Sequence, residues 1–366
     1  MKRIEIDAAK LEERESAHAY LKELLSLPAW YGSNLDALYD CLGDMRETLL
    51  VVKGAEKAGE TAKRFLRVFE DAAEENRHLK LKRAGSGCYQ LIALDMDGTA
   101  LRDDKTMDDV TREVIRHALK KGKQVVFCTG RPVAEMRYLL KDFPEMNYLL
   151  CESGALLYDL KEEKGIYRKC IPDEAAQALR ITAAGRDVCP VVFSAGEYYI
   201  SSRHVHHMAH YQMGQFQEFV LEIANIVDDV FAHMEREGMQ GDKINLFHPS
   251  PQERALSRRI LQEKCPEQMK MMTMADTEVA SLECTPLGVD KGFGLRALSE
   301  VTGIPLEQMI MVGDGDNDLE GLETAGLAVA VANANDHVRS ICDAVVADNE
   351  HWGCAEAIMR YLMGIF

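Results

Sequence analysis

The sequence predicts an α/β protein, in which a small α/β unit is followed by a doubly wound parallel sheet with an inserted α/β domain. A length of 366 residues exceeds what one hydrophobic core usually serves. From residue 89 onward, short apolar strands alternate with helical patterns, and this rhythm breaks in the middle of the chain. We therefore divide the chain into residues 1–84, a first core segment 88–167, an insertion 168–283 and a second core segment 284–366.

The composition argues against partners with dense negative charge. A formal charge of −17 would repel nucleic-acid phosphates and anionic membranes. No run reaches the ~18 apolar residues of a membrane span, and the first residues carry no apolar signal segment. The ten cysteines form no CxxC pair and are typical of reduced core residues. We therefore expect a cytoplasmic protein that binds neither nucleic acid nor membrane.

The first unit has its own pattern of elements. We expect strands at 3–6, 49–53 and 78–82, helices at 11–25, after Asn34 and at 59–75, and a short flexible joint at 84–87. On the second helix, aspartates recur every four residues at positions 36, 40 and 44. A solvated helix face is the simpler interpretation of such a row.

The run LPAWYGSNLDALYDCL, residues 27–42, closely resembles the signature of the barstar family of ribonuclease inhibitors, and the resemblance covers the whole unit. It implies that an aromatic residue and three carboxylates block the basic active site of a ribonuclease. The matching positions are Trp30, Asp36, Asp40 and Asp71. A basic ribonuclease of the barnase type is therefore a candidate partner.

The stretch LIALDMDGT, residues 91–99, predicts a buried strand whose carboxyl end carries two candidate functional aspartates. Asp95 and Asp97 would share a face if the strand continued, and Gly98 lets the backbone turn away. Carboxyl ends of strands in an open α/β sheet line the ligand crevice. Two adjacent carboxylates need a cation between them or a retained proton. Alone, this pattern would also fit a solvated Asp-x-Asp-Gly turn.

A second strand, 124–128, ends in Thr129, Gly130 and Arg131. A hydroxyl and free backbone N–H groups at a sheet edge bind phosphate. We expect a helix at 108–121 before this strand and another strand at 148–151 after it.

A second acidic strand end completes the pattern. Lys291 precedes a helix at 293–301, and a strand at 309–312 runs into GDGDND, residues 313–318. The aspartates fall on the first positions of a calcium-binding EF-hand loop, but Leu319 and Ala325 replace its required Gly and Glu. An EF-hand calcium site is therefore excluded. The aspartates of this loop would still supply oxygen ligands for a magnesium ion beside Asp95. Two short strands around a helix and a last helix at 354–363 follow.

The insertion reads as an α+β domain, with strand-like runs at 189–201, 243–249 and 269–285 and helices at 213–232 and 252–264. His206 and His210 could share a helix face as metal ligands do. Neither Glu nor Cys flanks them at ligand spacing, and solvated or substrate-facing histidines are commoner.

Four landmarks occur in order: DMDGT at 95–99, CTGRP at 128–132, VDKGFGL at 289–295 and GDGDND at 313–318. Together they resemble the haloacid dehalogenase superfamily, specifically its Cof-type hydrolases, over residues 85–366. The resemblance implies a Rossmann-like core with a mobile cap inserted between the second and third landmarks. It also implies a Mg²⁺-dependent phosphatase that forms an aspartyl-phosphate intermediate.

The resemblance also implies a role for each matching residue. Asp95 would be the nucleophile and Asp97 the acid, while Thr129 and Lys291 would hold phosphoryl oxygens. The metal would be held or oriented by Asp95, the Asp97 carbonyl, Asp314 and Asp318. Further phosphate contacts would come from Gly98, Gly130, Arg131 and Asn317. Transport ATPases of this superfamily carry Thr at the position of Asp97, so the aspartate favours rapid hydrolysis or mutase chemistry.

The sequence therefore predicts a phosphatase acting on a small phosphorylated metabolite, such as a sugar phosphate or a phosphorylated cofactor. The alternative is a binding protein, an intracellular ribonuclease inhibitor whose phosphatase domain is incidental or regulatory. Both can hold, because the two motif sets lie on separate domains.

Overall fold

The structure is a computed structural model that describes residues 2–55, 58–84, 89–277 and 280–365. Its strands form three sheets of three, six and eight strands. The joint predicted at 84–87 lies, from residue 85 onward, outside the described residues. None of the helices in the described ranges is long and apolar enough to cross a membrane.

The first sheet belongs to the N-terminal unit and is parallel, in the order β1-β2-β3. Its elements are β1 Lys2–Asp7, α1 Arg14–Leu24, α2 Leu35–Gly43, β2 Thr48–Lys53, α3 Glu60–Glu75 and β3 Leu79–Ala84. The Asn34 side chain caps α2 by accepting from the Ala37 N–H. The first helix starts later than predicted, because Ala8–Leu11 form a 3₁₀ turn and Glu13 caps α1.

The hydrolase-like core begins with β4. This strand is buried along its whole length, as is usual for a central strand of a parallel sheet with helices on both faces. Its first segment contains β4 Leu91–Leu94, α4 Asp109–Lys120, β5 Gln124–Cys128, α5 Val133–Leu140, β6 Tyr148–Cys151, β7 Leu156–Asp159 and β8 Lys164–Arg168. The strands β7 and β8 pair antiparallel, since short turns rather than crossover helices join them.

The insertion builds the six-stranded sheet, in the order β11-β10-β9-β12-β14-β13. Its elements are α6 Asp173–Ala183, β9 Cys189–Ser194, β10 Glu197–Ser201, α7 Ser202–Val205, α8 Gln217–Ile223, β11 Asn225–Val227, α9 Val230–Glu237, β12 Lys243–Phe247, α10 Pro251–Lys264, α11 Pro266–Met269, β13 Met272–Asp276 and β14 Ser281–Pro286. The division at 283 and 284 stays a prediction, and β14 crosses it.

The single helix predicted at 213–232 is wrong. The segment instead contains α8, the short strand β11 and the start of α9. Ala224 adopts an extended backbone that ends α8, and β11 then pairs in parallel with β10. Asp229 caps α9 by accepting from the Ala232 N–H. Pairing with β10 therefore overrides the local helical pattern.

The second core segment returns the chain to the large sheet. It contains α12 Lys291–Thr302, β15 Met309–Gly313, α13 Leu319–Thr324, β16 Leu327–Val331, α14 Asp336–Ile341, β17 Ala344–Val346, α15 Gly353–Ala357 and a π-helical turn Ile358–Leu362. The eight strands run β17-β16-β15-β4-β5-β6-β7-β8, parallel from β17 to β6. The doubly wound α/β fold is confirmed, and β4 lies between β15 and β5.

Candidate active site

The site forms where two neighbouring parallel strands end. Strands β4 and β15 pair in register, with Leu94 opposite Val312, so the residues after them emerge at one edge of the sheet. Asp95 follows β4, Asp314 follows β15, and Asp318 stands just before α13. One ligand oxygen of each of these three carboxylates lies within 4.8 Å of the others. The structure thus brings together three of the predicted metal ligands.

Lys291 closes this cluster from the first residue of α12. Its ammonium donates to Asp318 Oδ1 at 2.5 Å and also to Asp95 Oδ1. The Asp290 side chain caps α12 by accepting from the Phe293 N–H at 2.7 Å, which fixes where the helix starts. Lys291, Asp95 and Asp318 are all buried, so their charges interact without much solvent screening.

The charge of the cluster is unbalanced. Burial raises the pKa of Asp95 to about 8, and the neighbouring Asp318 carboxylate adds to the shift. Burial also raises the pKa of Asp314. The pKa of Lys291 rises despite burial, because the Asp318 and Asp95 carboxylates stabilise its charged form. Three carboxylates face one ammonium, and hard carboxylate oxygens are the ligands that Mg²⁺ prefers. The residues therefore fit a magnesium ion.

Two glycines make this close approach possible. Gly98 has φ +77°, and a Cβ there would lie 2.6 Å from Asp314 Oδ2. A Cβ at Gly313 would lie 2.6 Å from the Asp318 carboxyl carbon. Larger residues at either position would push the carboxylates apart. Thr99 further orients Asp314 by donating its hydroxyl to Asp314 Oδ1 at 2.8 Å.

The Asp97 carboxylate has different partners. Arg131 donates to both of its oxygens, at 2.8 and 2.6 Å, and Lys105 lies 3.0 Å away. Although burial opposes the shift, these cations lower the pKa of Asp97 to about 2. The Asp97 carboxylate is therefore paired with Arg131 and Lys105, which favours its ionised form over the retained proton, one of the two alternatives that the sequence left open.

The other predicted phosphate-binding residues lie around the same edge. Thr129 is buried, and its hydroxyl oxygen accepts from the Arg131 N–H at 3.2 Å. The Gly130 carbonyl accepts from the Lys243 ammonium at 3.3 Å. The Asn317 side chain is exposed on the loop that carries the acidic cluster.

Two cations near this site, Lys105 and Lys243, are not predicted from the sequence. Lys105 comes from the loop before α4, and nothing in its neighbours marks it. Lys243 comes from the insertion, where its ammonium also pairs with Glu283 at 2.6 Å. A lysine at the start of the mostly apolar strand KINLF is the sequence signal that could have identified it, and the structure shows that this lysine is buried.

In the histidine-rich segment, the two histidines considered as metal ligands have different surroundings. His210 bonds Asp187 through Nε2 at 2.6 Å, while His206 is exposed. Burial lowers the pKa of His204 to about 4. Across the described ranges, the acidic cluster is the one group of three or more side chains with metal-ligand spacing, and it includes no histidine.

The four positions matched to ribonuclease binding are exposed on the helical side of the N-terminal unit. Trp30 exposes 63% of its surface. Asp36 and Asp40 lie on α2, and Asp71 lies on α3. The pKa of Tyr39 is raised by a hydrogen bond with Glu75 and by the charges of Asp71 and Asp40. Asp40 and Asp71 thus lie close enough to the same phenol to act on it together.

Family models match both parts of the chain. Residues 92–358 match the haloacid dehalogenase-like hydrolases, and residues 1–84 match barstar, the barnase inhibitor. The chain is 28% identical over 274 residues to 5-amino-6-(5-phospho-D-ribitylamino)uracil phosphatase YitU of Bacillus subtilis, covering 74% of this chain and 97% of that protein. A second phosphatase of that organism with the same named substrate, YcsE, is 24% identical and covers 75% of this chain and 96% of its own.

The fold comparison agrees with the sequence comparison. A haloacid dehalogenase-like hydrolase from Bacteroides thetaiotaomicron superposes with a TM-score of 0.64 at 25% identity, covering 74% of this chain and 99% of that one. The residues matched by the hydrolase family model, 92–358, include the cluster of Asp95, Lys291, Asp314 and Asp318. The chain therefore belongs to the haloacid dehalogenase-like hydrolases and carries a barstar-family domain over residues 1–84.

Proposed function

We propose that the protein is a Mg²⁺-dependent phosphatase that hydrolyses a small phosphorylated metabolite, a sugar phosphate or a phosphorylated cofactor, through an aspartyl-phosphate on Asp95. The observation that carries this proposal is the buried cluster of Asp95, Asp314, Asp318 and Lys291 at the carboxyl ends of β4 and β15. Named phosphatases among the relatives support the reaction class. The described cysteines are all unpaired and most are buried, which supports a reducing cytoplasmic location.

In the proposed reaction, an Asp95 carboxylate oxygen attacks phosphorus and the bond to the leaving oxygen breaks. Lys291, the Thr129 hydroxyl and the backbone N–H groups that follow β5 would donate hydrogen bonds to the phosphoryl oxygens. Water then cleaves the acyl phosphate and releases inorganic phosphate. Mg²⁺ held by Asp95, the Asp97 carbonyl, Asp314 and Asp318 would neutralise charge on the carboxylates and the phosphoryl group.

Asp97 is the proposed proton donor to the leaving oxygen, which requires a change from the arrangement described above. Arg131 and Lys105 hold it ionised. A bound phosphate ester offers these cations a competing negative charge, and their departure would let the pKa of Asp97 rise. In this proposal substrate binding itself prepares the acid.

The test is a panel of phosphorylated metabolites with purified protein in Mg²⁺ and in excess EDTA. We expect hydrolysis of at least one phosphate monoester, loss of activity in EDTA and recovery on adding Mg²⁺, because the carboxylates would otherwise repel the phosphate. Thermal unfolding should shift upward with Mg²⁺. Full activity in excess EDTA would contradict the metal requirement, and no hydrolysis of any ester would contradict the proposed function.

A second proposed function, binding a basic ribonuclease of the barnase type, rests on the exposed acidic surface of residues 1–84. Trp30, Asp36, Asp40 and Asp71 are free to meet a partner. The domain is nearly balanced in charge, so attraction must come from this local arrangement.

Replacing Asp36 and Asp40 together by asparagine is expected to weaken binding to such a ribonuclease at least about tenfold, because paired cations of the partner would lose their counter-charges. Glu23→Gln, an exposed carboxylate change on α1, is the control and should bind as the parent does. Assays of ribonuclease inhibition at two salt concentrations distinguish a slower association rate from a faster dissociation rate, because salt weakens electrostatic steering of association. Equal loss in the Glu23 control, or none in the double variant, would refute this surface.

A further inference from the structure

The sheet of the barstar-family domain has buried residues on both of its faces. Leu50 and Val52 of β2 pack with the helices α1–α3, as alternation along a strand requires. Leu49 and Val51 point to the opposite face, where they form a separate cluster and are 4% and 0% exposed. Helices on one side alone would leave these two residues in water. Another part of the chain therefore covers this second face, which we call the docking face.

The residues beside Leu49 and Val51 identify what covers them. Arg3 and Lys80 lie opposite Leu49 in the neighbouring strands, and Lys82 lies opposite Val51. All three cations contact the hydrolase core. Arg3 bonds Asp343, Lys80 pairs with Glu323 at 2.6 Å, and Lys82 bonds Asp343 at 2.9 Å. The docking face is thus occupied by the hydrolase core of the same chain.

Lys82 is the most deeply buried of these contacts. Its side chain is 2% exposed, and its ammonium donates both to Asp343 Oδ2 and to the Leu322 carbonyl at 3.1 Å. Asp343 is itself fixed, because it accepts from the Ala328 N–H at 2.8 Å and from Arg3. A buried ammonium with both partners satisfied is stable, whereas loss of one partner leaves a costly charge.

The Leu322 carbonyl belongs to α13, the short helix that starts directly after Asp318. Carbonyls in the last turn of a helix lack intrahelical partners, and a cation there satisfies them and complements the helix dipole. At the other end of α13, Asp318 Oδ2 accepts from the N–H groups of Asp314 and Gly315 at 3.0 and 3.1 Å. One short helix thus connects Lys82 to the acidic loop.

We infer that the barstar-family domain is a structural part of the hydrolase, in which Lys82 holds α13 and thereby the Asp318 carboxylate in place. Lys82 is then a positioning residue, since it touches neither substrate nor metal. The role of Asp318 in binding metal rests on the proposed function, but the docking and the hold on α13 do not. The acidic surface of α2 and α3 remains exposed, so docking leaves it available.

The test compares full-length Lys82→Met with Lys53→Met, a control that removes an exposed ion pair with Glu5 in the same domain. Hydrogen exchange of the peptide spanning 313–318 reports the N–H groups that bond Asp318. We expect several-fold faster exchange in Lys82→Met and parental exchange in Lys53→Met. Lys82→Arg, which keeps the charge, should restore much of the protection. This readout requires no turnover, so it stands apart from failure of the phosphatase proposal.

Calorimetry of the unaltered chain gives a second measurement that needs no variant. Docking predicts one cooperative unfolding transition for both domains. Two separate transitions would overturn the inference, as would folded Lys82→Met with parental exchange at 313–318.

If Lys82→Met does not fold, Asp343→Asn removes the counter-charge from the other side and should produce the same faster exchange. In steady-state kinetics, we expect Lys82→Met to need a higher Mg²⁺ concentration for half-maximal activity, with little change in substrate KM. That result would distinguish a positioning role from general destabilisation.

Discussion

Replacing Asp95 by asparagine is expected to lower turnover about a thousandfold or more while leaving the protein folded. The amide has nearly the same volume but is a poor nucleophile, so the acyl-phosphate cannot form. The change also removes one carboxylate from a cluster in which burial and, to a smaller extent, Asp318 already raise the pKa of Asp95. The measurement is steady-state hydrolysis of p-nitrophenyl phosphate and of the best panel substrate, with circular dichroism to check the fold.

The matched control is Asp316→Asn, an exposed aspartate in the same loop that lies outside the three-carboxylate cluster. It should retain most of the activity. Near-parental hydrolysis by Asp95→Asn would rule out Asp95 as the nucleophile.

Replacing Lys291 by methionine is expected to destabilise the metal-free protein by about 3 to 5 kcal/mol, because Asp95 and Asp318 lose the ammonium between them. Both carboxylates and the lysine are buried, so water cannot take over the lost interaction. Mg²⁺ should return part of this stability by supplying another cation. Denaturant unfolding in EDTA and in Mg²⁺ measures both effects.

Lys270→Met serves as the control, since it removes an exposed pair with Glu267 and should change stability by less than about 1 kcal/mol. Equal stability of Lys291→Met and Lys270→Met in EDTA would mean that the cluster does not depend on the ammonium.

Much of the core could be predicted because local and tertiary signals agree there. The runs at β4 and β15 carry no polar side chain, and β5 is apolar after Gln124, as expected of strands buried on both faces. The meeting of Asp95 with Asp314 follows from the same reasoning, because the carboxyl ends of neighbouring parallel strands share an edge. The helix predicted at 213–232 was wrong because the pairing of β11 with β10 is a long-range event that no local periodicity reveals.

The partners of Asp97 and Lys82 could not be predicted for a related reason. Arg131 and Lys105 reach Asp97 from two separate loops, whose approach depends on the folded core. The alternating sequence LKLKR of β3 reads as a strand with one solvated face. Lys82 is instead buried against the hydrolase core, and Lys80 pairs with Glu323 of that core while staying partly exposed. A sequence pattern does not distinguish water from a polar protein surface.

The most direct test of the central claim is to trap the phosphorylated aspartate. A rapid acid quench during turnover, followed by borohydride, would reduce an acyl phosphate to an alcohol that mass spectrometry can locate. The account predicts homoserine at position 95, dependent on substrate and absent from Asp95→Asn. Reduction at another carboxylate, or continued turnover with position 95 unmodified at every quench time, would contradict it.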